Sequence, residues 1–198
     1  FPLNNVLLLP HGNLPLNIFE DRYTRMVEDA LSTHRMIGVV QYKDGQGVFQ
    51  TGCAGKITEF METPDGRYII NLTGICRFYI KEELSTITPY RMIKPCWQSF
   101  DHDISIPKSL GVNREHLMGL LCQYFKINGM SCDFHKFDTI PDSRLITTLA
   151  MICPLEPMEK QALLEEICHM GRVKTFITML EIATGTTCPE DDTQGQCH

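Results

Sequence analysis

The sequence predicts an α+β fold, with strands gathered in the first half of the chain and helices in the second. Three observations carry this expectation. Residues 1–97 alternate short apolar runs with Pro, Gly and Asp turn signals, the pattern of strands and hairpins. Residues 113–184 place apolar side chains three and four apart, as helices with one buried face do. Between them, residues 98–112 are polar and include Pro107 and Gly111, which predicts an exposed linker. Residues 185–198 are polar and acidic, with Glu190, Asp191 and Asp192, and predict a disordered tail.

In chain order, Val6 to Leu9 is an apolar run closed by Pro10 and Gly12 and predicts a buried strand. The chain opens at Phe1-Pro2-Leu3 without an initiator Met, which predicts a start inside a first strand with native residues upstream. Asn17 followed three residues later by Glu20 suits an Asn version of the capping box. Phe19, Tyr23, Met26, Val27, Ala30 and Leu31 then form one stripe, so Ile18 to Ser32 predicts an amphipathic helix. Met36 to Tyr42 reads as a strand ended by Lys43-Asp44-Gly45. Gly52 to Met61 and Tyr68 to Ile80 flank the turn Pro64-Asp65-Gly66 and predict a hairpin. Gly74 in the middle of the second strand predicts a bulge or a change of partner there. Tyr90 to Trp97 is the last strand of this half.

The helical half begins at Asn113, a capping residue, with Leu117, Leu120, Leu121, Tyr124 and Phe125 on one face and Gly129 placed to end the helix. Asp142 to Met151 predicts a second helix on Leu145, Ile146 and Leu149. Pro157 suits a first helical position and predicts a third helix through about Ile167. Arg172 to Ala183 predicts the last, on Val173, Phe176, Ile177 and Leu180.

Composition narrows the function classes. The chain has 198 residues, 43% apolar and 21% charged, which fits one large soluble domain or two small ones. Its net charge is −6, from 18 basic and 24 acidic residues. Phosphate backbones and anionic membranes are bound by Lys and Arg, so general nucleic-acid binding and membrane binding are disfavoured. Val6 to Leu9 is too short to span a bilayer. The nine cysteines are odd in number with no C-x-x-C pair, which argues against a disulfide framework and for a reducing, cytoplasmic compartment. Thiols in apolar surroundings, such as Cys76, Cys122 and Cys153, are expected to behave as small buried hydrophobes.

Catalytic and cofactor motifs fail on inspection. Gly52-Cys53-Ala54-Gly55-Lys56-Ile57 approaches a phosphate loop, but the motif needs Gly at position 50 and Ser or Thr at 57, where Gln50 and Ile57 stand. Ser105 and Lys108 match S-x-x-K with Pro107 between them, whereas that chemistry needs both on one helix turn. Cys132 and His135 have ligand-like spacing, but a structural zinc needs four ligands and only Cys122 lies nearby. Asn71-Leu72-Thr73 is a glycosylation sequon inside a predicted strand. Glu20 and Arg22 read as a capping or surface pair. Neither catalytic residues nor a metal or cofactor is expected. Met61, Met92, Met130, Met158 and Met170 sit near element ends or loops. Flexible thioethers there suit a surface that adapts to varied apolar segments, so these five are the candidate polypeptide-binding residues.

Several ordered segments resemble the N-terminal substrate-binding domain family of Lon proteases. They are Pro15-Leu16-Asn17-Ile18-Phe19-Glu20-Asp21-Arg22-Tyr23, Ile37-Gly38-Val39-Val40, Gly52-Cys53-Ala54-Gly55-Lys56-Ile57, Pro64-Asp65-Gly66-Arg67-Tyr68 and Leu72-Thr73-Gly74-Ile75-Cys76-Arg77-Phe78. In the helical half, Leu155-Glu156-Pro157-Met158-Glu159-Lys160-Gln161-Ala162-Leu163-Leu164-Glu165 resembles small bacterial members. The resemblance implies a PUA-like β-barrel module holding one helix, followed by a C-terminal helical bundle. It implies a non-catalytic module that recognises unfolded or apolar polypeptide segments; a separate protease or chaperone is a candidate further partner, with adaptor and chaperone roles both open. RNA binding is the alternative, because PUA-like barrels in other families bind RNA. The acidic charge and the lack of a basic, aromatic-interleaved stretch weigh against it.

Overall fold

The computed structural model describes residues 1–43, 47–105, 111–131, 133, 137 and 139–186. The chain is α+β, and its first half builds one six-stranded sheet. The strands are β1 (Pro2–Leu3), β2 (Asn13–Ile18), β3 (Met36–Gln41), β4 (Thr51–Glu62), β5 (Tyr68–Leu84) and β6 (Met92–Cys96), with helix α1 (Asp21–Leu31) between β2 and β3. The order is β1-β3-β4-β5-β2, and β6 also pairs with β5. All pairings are antiparallel except that of β1 with β3.

β4 and β5 form the predicted hairpin around Pro64-Asp65-Gly66, where Gly66 takes φ +80°. Gly74 fulfils both halves of its expectation. The β4–β5 register shifts there, because Ala54 faces Cys76 and Gly55 faces Gly74. The partner on the far side of β5 changes too: residues 68–73 pair with β2 and residues 79–84 with β6. A Cβ at Gly74 would lie 2.1 Å from the Leu9 carbonyl oxygen, so only glycine permits this approach.

Four expectations are corrected. Val6 to Leu9 forms no strand: Leu7, Leu8 and Leu9 are fully buried in an irregular segment. Asn5 and His11 take φ +52° and +64° on either side of it, and the backbone of His11 and Gly12 pairs with Gly74 instead. The helix expected from Ile18 begins at Asp21, because Leu14, Leu16 and Ile18 alternate along β2 against β5. Asn17 therefore pairs with Ile69 and does not cap, Glu20 is the N-cap without a side-chain cap bond, and Phe19, 65% exposed, leaves the apolar stripe. Glu20 and Arg22 do form an exposed ion pair at 2.8 Å. The β-barrel is replaced by an open sheet among the described residues: β2 and β6 share one side of β5, and neither pairs with β1 at the opposite edge. Finally, the predicted linker is mostly exposed in its described residues, as expected, but it is anchored at two points. Residues Asp101–Ile104 form a short 3-10 turn in which Asp103 is fully buried, and so is Phe100 just before it. Residues 106–110 of that segment lie outside the described residues.

The helices follow the sequence closely. They are α2 (Arg114–Ile127), α3 (Asp142–Ile152), α4 (Pro157–Glu165) and α5 (His169–Thr184). The Asn113 side chain accepts from the His116 amide, and Gly129 at φ +64° ends α2 while Met130 N–H bonds the Phe125 carbonyl, the closing bond of a Schellman motif. Pro157 stands in the first turn of α4, whose Glu156 and Glu159 form a capping box. One apolar core joins both halves, with Ile37, Ile57 and Leu72 in the same cluster as Leu121, Leu149 and Phe176.

Polar pins cross that core. Arg77 of β5 and Asp103 are both fully buried and paired at 2.7 Å. The Arg77 guanidinium also donates to the carbonyls of Leu164, Glu166 and Ile167 at the end of α4 and lies 4.4 Å from the Phe100 ring centre. Burial opposes ionisation of Asp103, and hydrogen bonds from the Arg77 side chain and backbone overcome it, holding the carboxyl below its ordinary value. On α4, Lys160 Nζ donates to the Asn5 carbonyl at 2.9 Å, and Gln161 accepts from Gln41 Nε2 at 3.1 Å.

Candidate functional site

An apolar groove of about 550 Å³ opens between α1 and β6 in the β-rich half. Its existence follows from small residues placed among large ones. Ala30 on α1, Gly38 on β3 and Ala54 on β4 leave the space, and a Cβ on Gly38 would sit 3.0 Å from the Phe78 ring. Phe78 forms the inner wall, with Trp97 edge-on to it at 5.8 Å between ring centres. Met26, Met36, Met92 and Ile93 add apolar lining, with Phe1, Ile37 and Pro95.

The groove lies beside an unpaired strand edge. β6 pairs with β5 and with no other strand among the described residues, so its outer edge is open to an extended chain. Pro95 within β6 removes one donor from the strand, as suits an edge position. Trp97 is 42% and Met92 38% exposed, so the apolar lining reaches solvent. The rim is polar: Tyr90 donates to Asp29 at 2.9 Å, which keeps the β6 approach against α1, and Arg91 makes a two-point pair with Glu83. Hydrogen bonding to Arg91 holds the exposed Glu83 carboxyl below its ordinary value. Such a cleft can hold a few apolar side chains while backbone groups engage the strand edge. An apolar patch rimmed by polar residues is the usual form of an interaction surface.

Of the five candidate methionines, Met92 lines this groove. Met61 is exposed on β4 opposite Ile69, Met130 follows α2, and Met158 and Met170 are exposed in the first turns of α4 and α5. None of these four lines the groove. Sequence reasoning missed Trp97, Ile93, Met36 and the small residues beneath them. The signal available was the lone tryptophan, 42% exposed in the structure, at the end of a short strand.

The remaining sequence candidates fall apart in space or outside the described residues. Gly52, Gly55 and Lys56 lie within β4 and so build no loop. Ile106, Pro107 and Lys108 of the S-x-x-K match, and Cys132 with His135, lie outside the described residues, as do residues 187–198 of the tail. Among the described residues no three His, Cys, Asp or Glu side chains gather as metal ligands. Cys53, Cys76 and Cys153 are buried, and burial pushes the Cys76 thiol up to about 11. Cys122 is exposed, contrary to the expectation for it, because it lies on the face of α2 away from Leu121. No helix among the described residues is long and apolar enough to cross a membrane.

An open sheet whose edge strand walls an apolar cleft, braced by packed helices, has the build of a recognition module. The chain belongs to the LON substrate-binding domain family: the model described as ATP-dependent protease La (LON) substrate-binding domain matches residues 1–181. The Lon protease of Endomicrobium trichonymphae is 23% identical over 190 residues, covering 90% of this chain and 23% of that protein. That of Roseiflexus castenholzii (strain DSM 13941 / HLO8) is 25% identical over 189 residues, covering 91% and 23%. The chain thus spans about a quarter of the curated relatives it matches. Among solved structures, the Lon N-terminal domain protein from Xanthomonas campestris is similar at TM-score 0.60 and 22% identity, covering 90% of this chain and 95% of that one. The N-terminal domain of Mycobacterium avium complex Lon protease is similar at 0.61 and 14%, covering 93% and 96%. These two likenesses bear on the fold.

Proposed function

We propose that this chain recognises unfolded polypeptide by seating apolar side chains in the α1–β6 groove, and that it performs no chemical step itself. The observation that carries this reading is the groove itself: apolar, open to solvent, polar at the rim and beside a free strand edge, in a member of a substrate-binding family. Met92, Trp97, Met36 and Ile93 are its proposed contacts. In this reading residues 1–97 form the binding module, residues 98–112 connect it, and residues 113–184 form a helical bundle that braces it. The proposed setting is the cytoplasm, with a separate protease or chaperone receiving what is bound.

A titration with a reduced, permanently unfolded model protein tests this. The expected dissociation constant is on the order of micromolar or weaker, since few anchors contribute. Salt should change it little, because apolar burial is nearly indifferent to ionic strength. Ile93→Asp, which places a charge in the groove, should weaken binding about tenfold or more, while Met158→Asp on α4 should leave it unchanged. Equal loss in both variants, or tight single-stranded RNA binding with a steep salt slope and no polypeptide binding, would overturn the proposal.

A further inference from the structure

A second cavity, of about 400 Å³, lies where the first turns of α3 and α5 meet the His11–Asn13 segment and Thr73 of β5. Its wall carries Arg144, Arg172 and His169 with the hydroxyls of Ser143 and Thr147, and no carboxylate belongs to it among the described residues. In a chain of net charge −6, such a lining is not the average surface. Two helices of 11 and 16 residues present their N-terminal turns to this space, and that end of a helix is the positive one.

Arg172 gives the independent observation. It is 4% exposed, its Nε donates to the Leu163 carbonyl at 3.1 Å, and its Nη2 is buried with no partner among the described residues. His169 Nε2 is likewise buried and unpartnered. Asp103, a buried acid that acts on Arg172, already accepts from the Arg77 backbone and two of its guanidinium nitrogens, and the Glu166 carboxylate acts on Arg172 as well. Arg144, exposed at the rim, has no ion-pair partner among the described residues, and the neighbouring Asp142 is engaged by Arg114 at 2.6 Å. Burial and the nearby Arg77 charge push the Arg172 guanidinium down to about 10, and burial and Arg172 push the His169 imidazole down to about 4. Burial is the larger cause in both, and Asp103 opposes each shift. A buried charge ordinarily has a charged or hydrogen-bonding partner.

We propose that this cavity binds the phosphate group of a small molecule, held by Arg172 and Arg144 and by donors from the starts of α3 and α5. Phosphate fits better than a flat carboxylate because the donors come from separate elements around the cavity, matching oxygens that point in several directions. The site is distinct from the apolar groove, with which it shares no lining residue.

The test is isothermal titration of the full chain at low ionic strength with inorganic phosphate, glycerol 3-phosphate and acetate. Expected is saturable binding of a phosphate species, with acetate at least about tenfold weaker. Tighter inorganic phosphate marks the free ion as ligand, and tighter glycerol 3-phosphate marks an ester. Arg144→Ala, an exposed change that leaves the core intact, should weaken phosphate about fivefold. Lys174→Ala, exposed on α5 outside the cavity, should have no effect. A cavity holding water alone would give no saturable heat with either phosphate. That result, acetate equal to phosphate, or equal loss in both variants would overturn the proposal.

Discussion

The two halves of the chain are held by forces of different reach. In the helical half each element is specified within a few residues, by apolar stripes and by caps such as Asn113, Gly129 and the Glu156–Glu159 box. In the β-rich half the decisive contacts join residues far apart in the chain: β1 with β3, Gly74 with the Leu9–Gly12 segment, and Arg77 with Asp103 and the end of α4. The difference teaches where a substitution should be felt. Local devices fail locally, whereas a buried long-range pin holds several elements at once.

The largest effect is therefore expected at Arg77. Arg77→Met keeps most of the apolar stem but leaves Asp103 buried without its charged partner and frees three carbonyls at the end of α4. Removing one member of a buried pair costs about 3–5 kcal/mol. Urea unfolding should show that loss, and the Arg77→Met, Asp103→Leu double variant should recover part of it. A single-variant loss under about 1 kcal/mol, the range of an exposed pair, would place the link between the halves in the apolar core and the Lys160 and Gln161 bonds instead.

The same difference in reach explains what the sequence revealed. All four C-terminal helices stand within a few residues of their expected bounds, since stripe and cap lie inside each helix. Val6 to Leu9 has the composition of a strand, but whether it pairs depends on Gly74 and on the turns at Asn5 and His11. Asn17 looked like a cap because its strand partner, Ile69, is 52 positions away. The open sheet was hidden for the same reason: closure depends on which strands share the side of β5. Of the groove, only Met92 is among the binding candidates read from sequence, because Ala30, Gly38 and Ala54 leave space only where α1, β3 and β4 come together. The Arg77–Asp103 pair gave no local sign, Asp103 lying in a segment whose polarity reads as solvent-exposed.

A middle-sized effect is expected on the acid side. His169 at the start of α5 is held at about 4, below its ordinary 6.5, chiefly by burial and then by Arg172, with His102 and Arg77 adding to this and Asp103 opposing it. The unfolded chain therefore binds a proton that the folded chain refuses. Stability from this group is complete above pH 6.5 and is lost as pH falls towards 4. The loss should be roughly 1–2 kcal/mol, since the imidazole is only partly shielded from water. Urea midpoints between pH 7 and pH 4, in buffer free of phosphate, should fall for the parent chain and fall less for His169→Gln. Asp103, with its lowered pKa, acts only at still lower pH. An unchanged slope in the variant would show that other groups govern this limb.

The smallest effect is expected from a purely local device, the cap of α2. The Asn113 side chain accepts the His116 amide at 3.1 Å in an exposed position, so its loss can be compensated by water at the same donor. Asn113→Ala should cost about 1 kcal/mol, and Asn113→Asp should retain or slightly strengthen the cap, because a carboxylate also favours the positive end of the helix. Hydrogen exchange separates this from Arg77→Met. Faster exchange in the cap variant should be confined to the first turn of α2, whereas loss of Arg77 should raise exchange in β5, α4 and α5 together. If Asn113→Ala instead loosened β5 as much as α2, the cap would have to act through the shared core around Leu117 and Leu121, and the division between local and long-range control would fall.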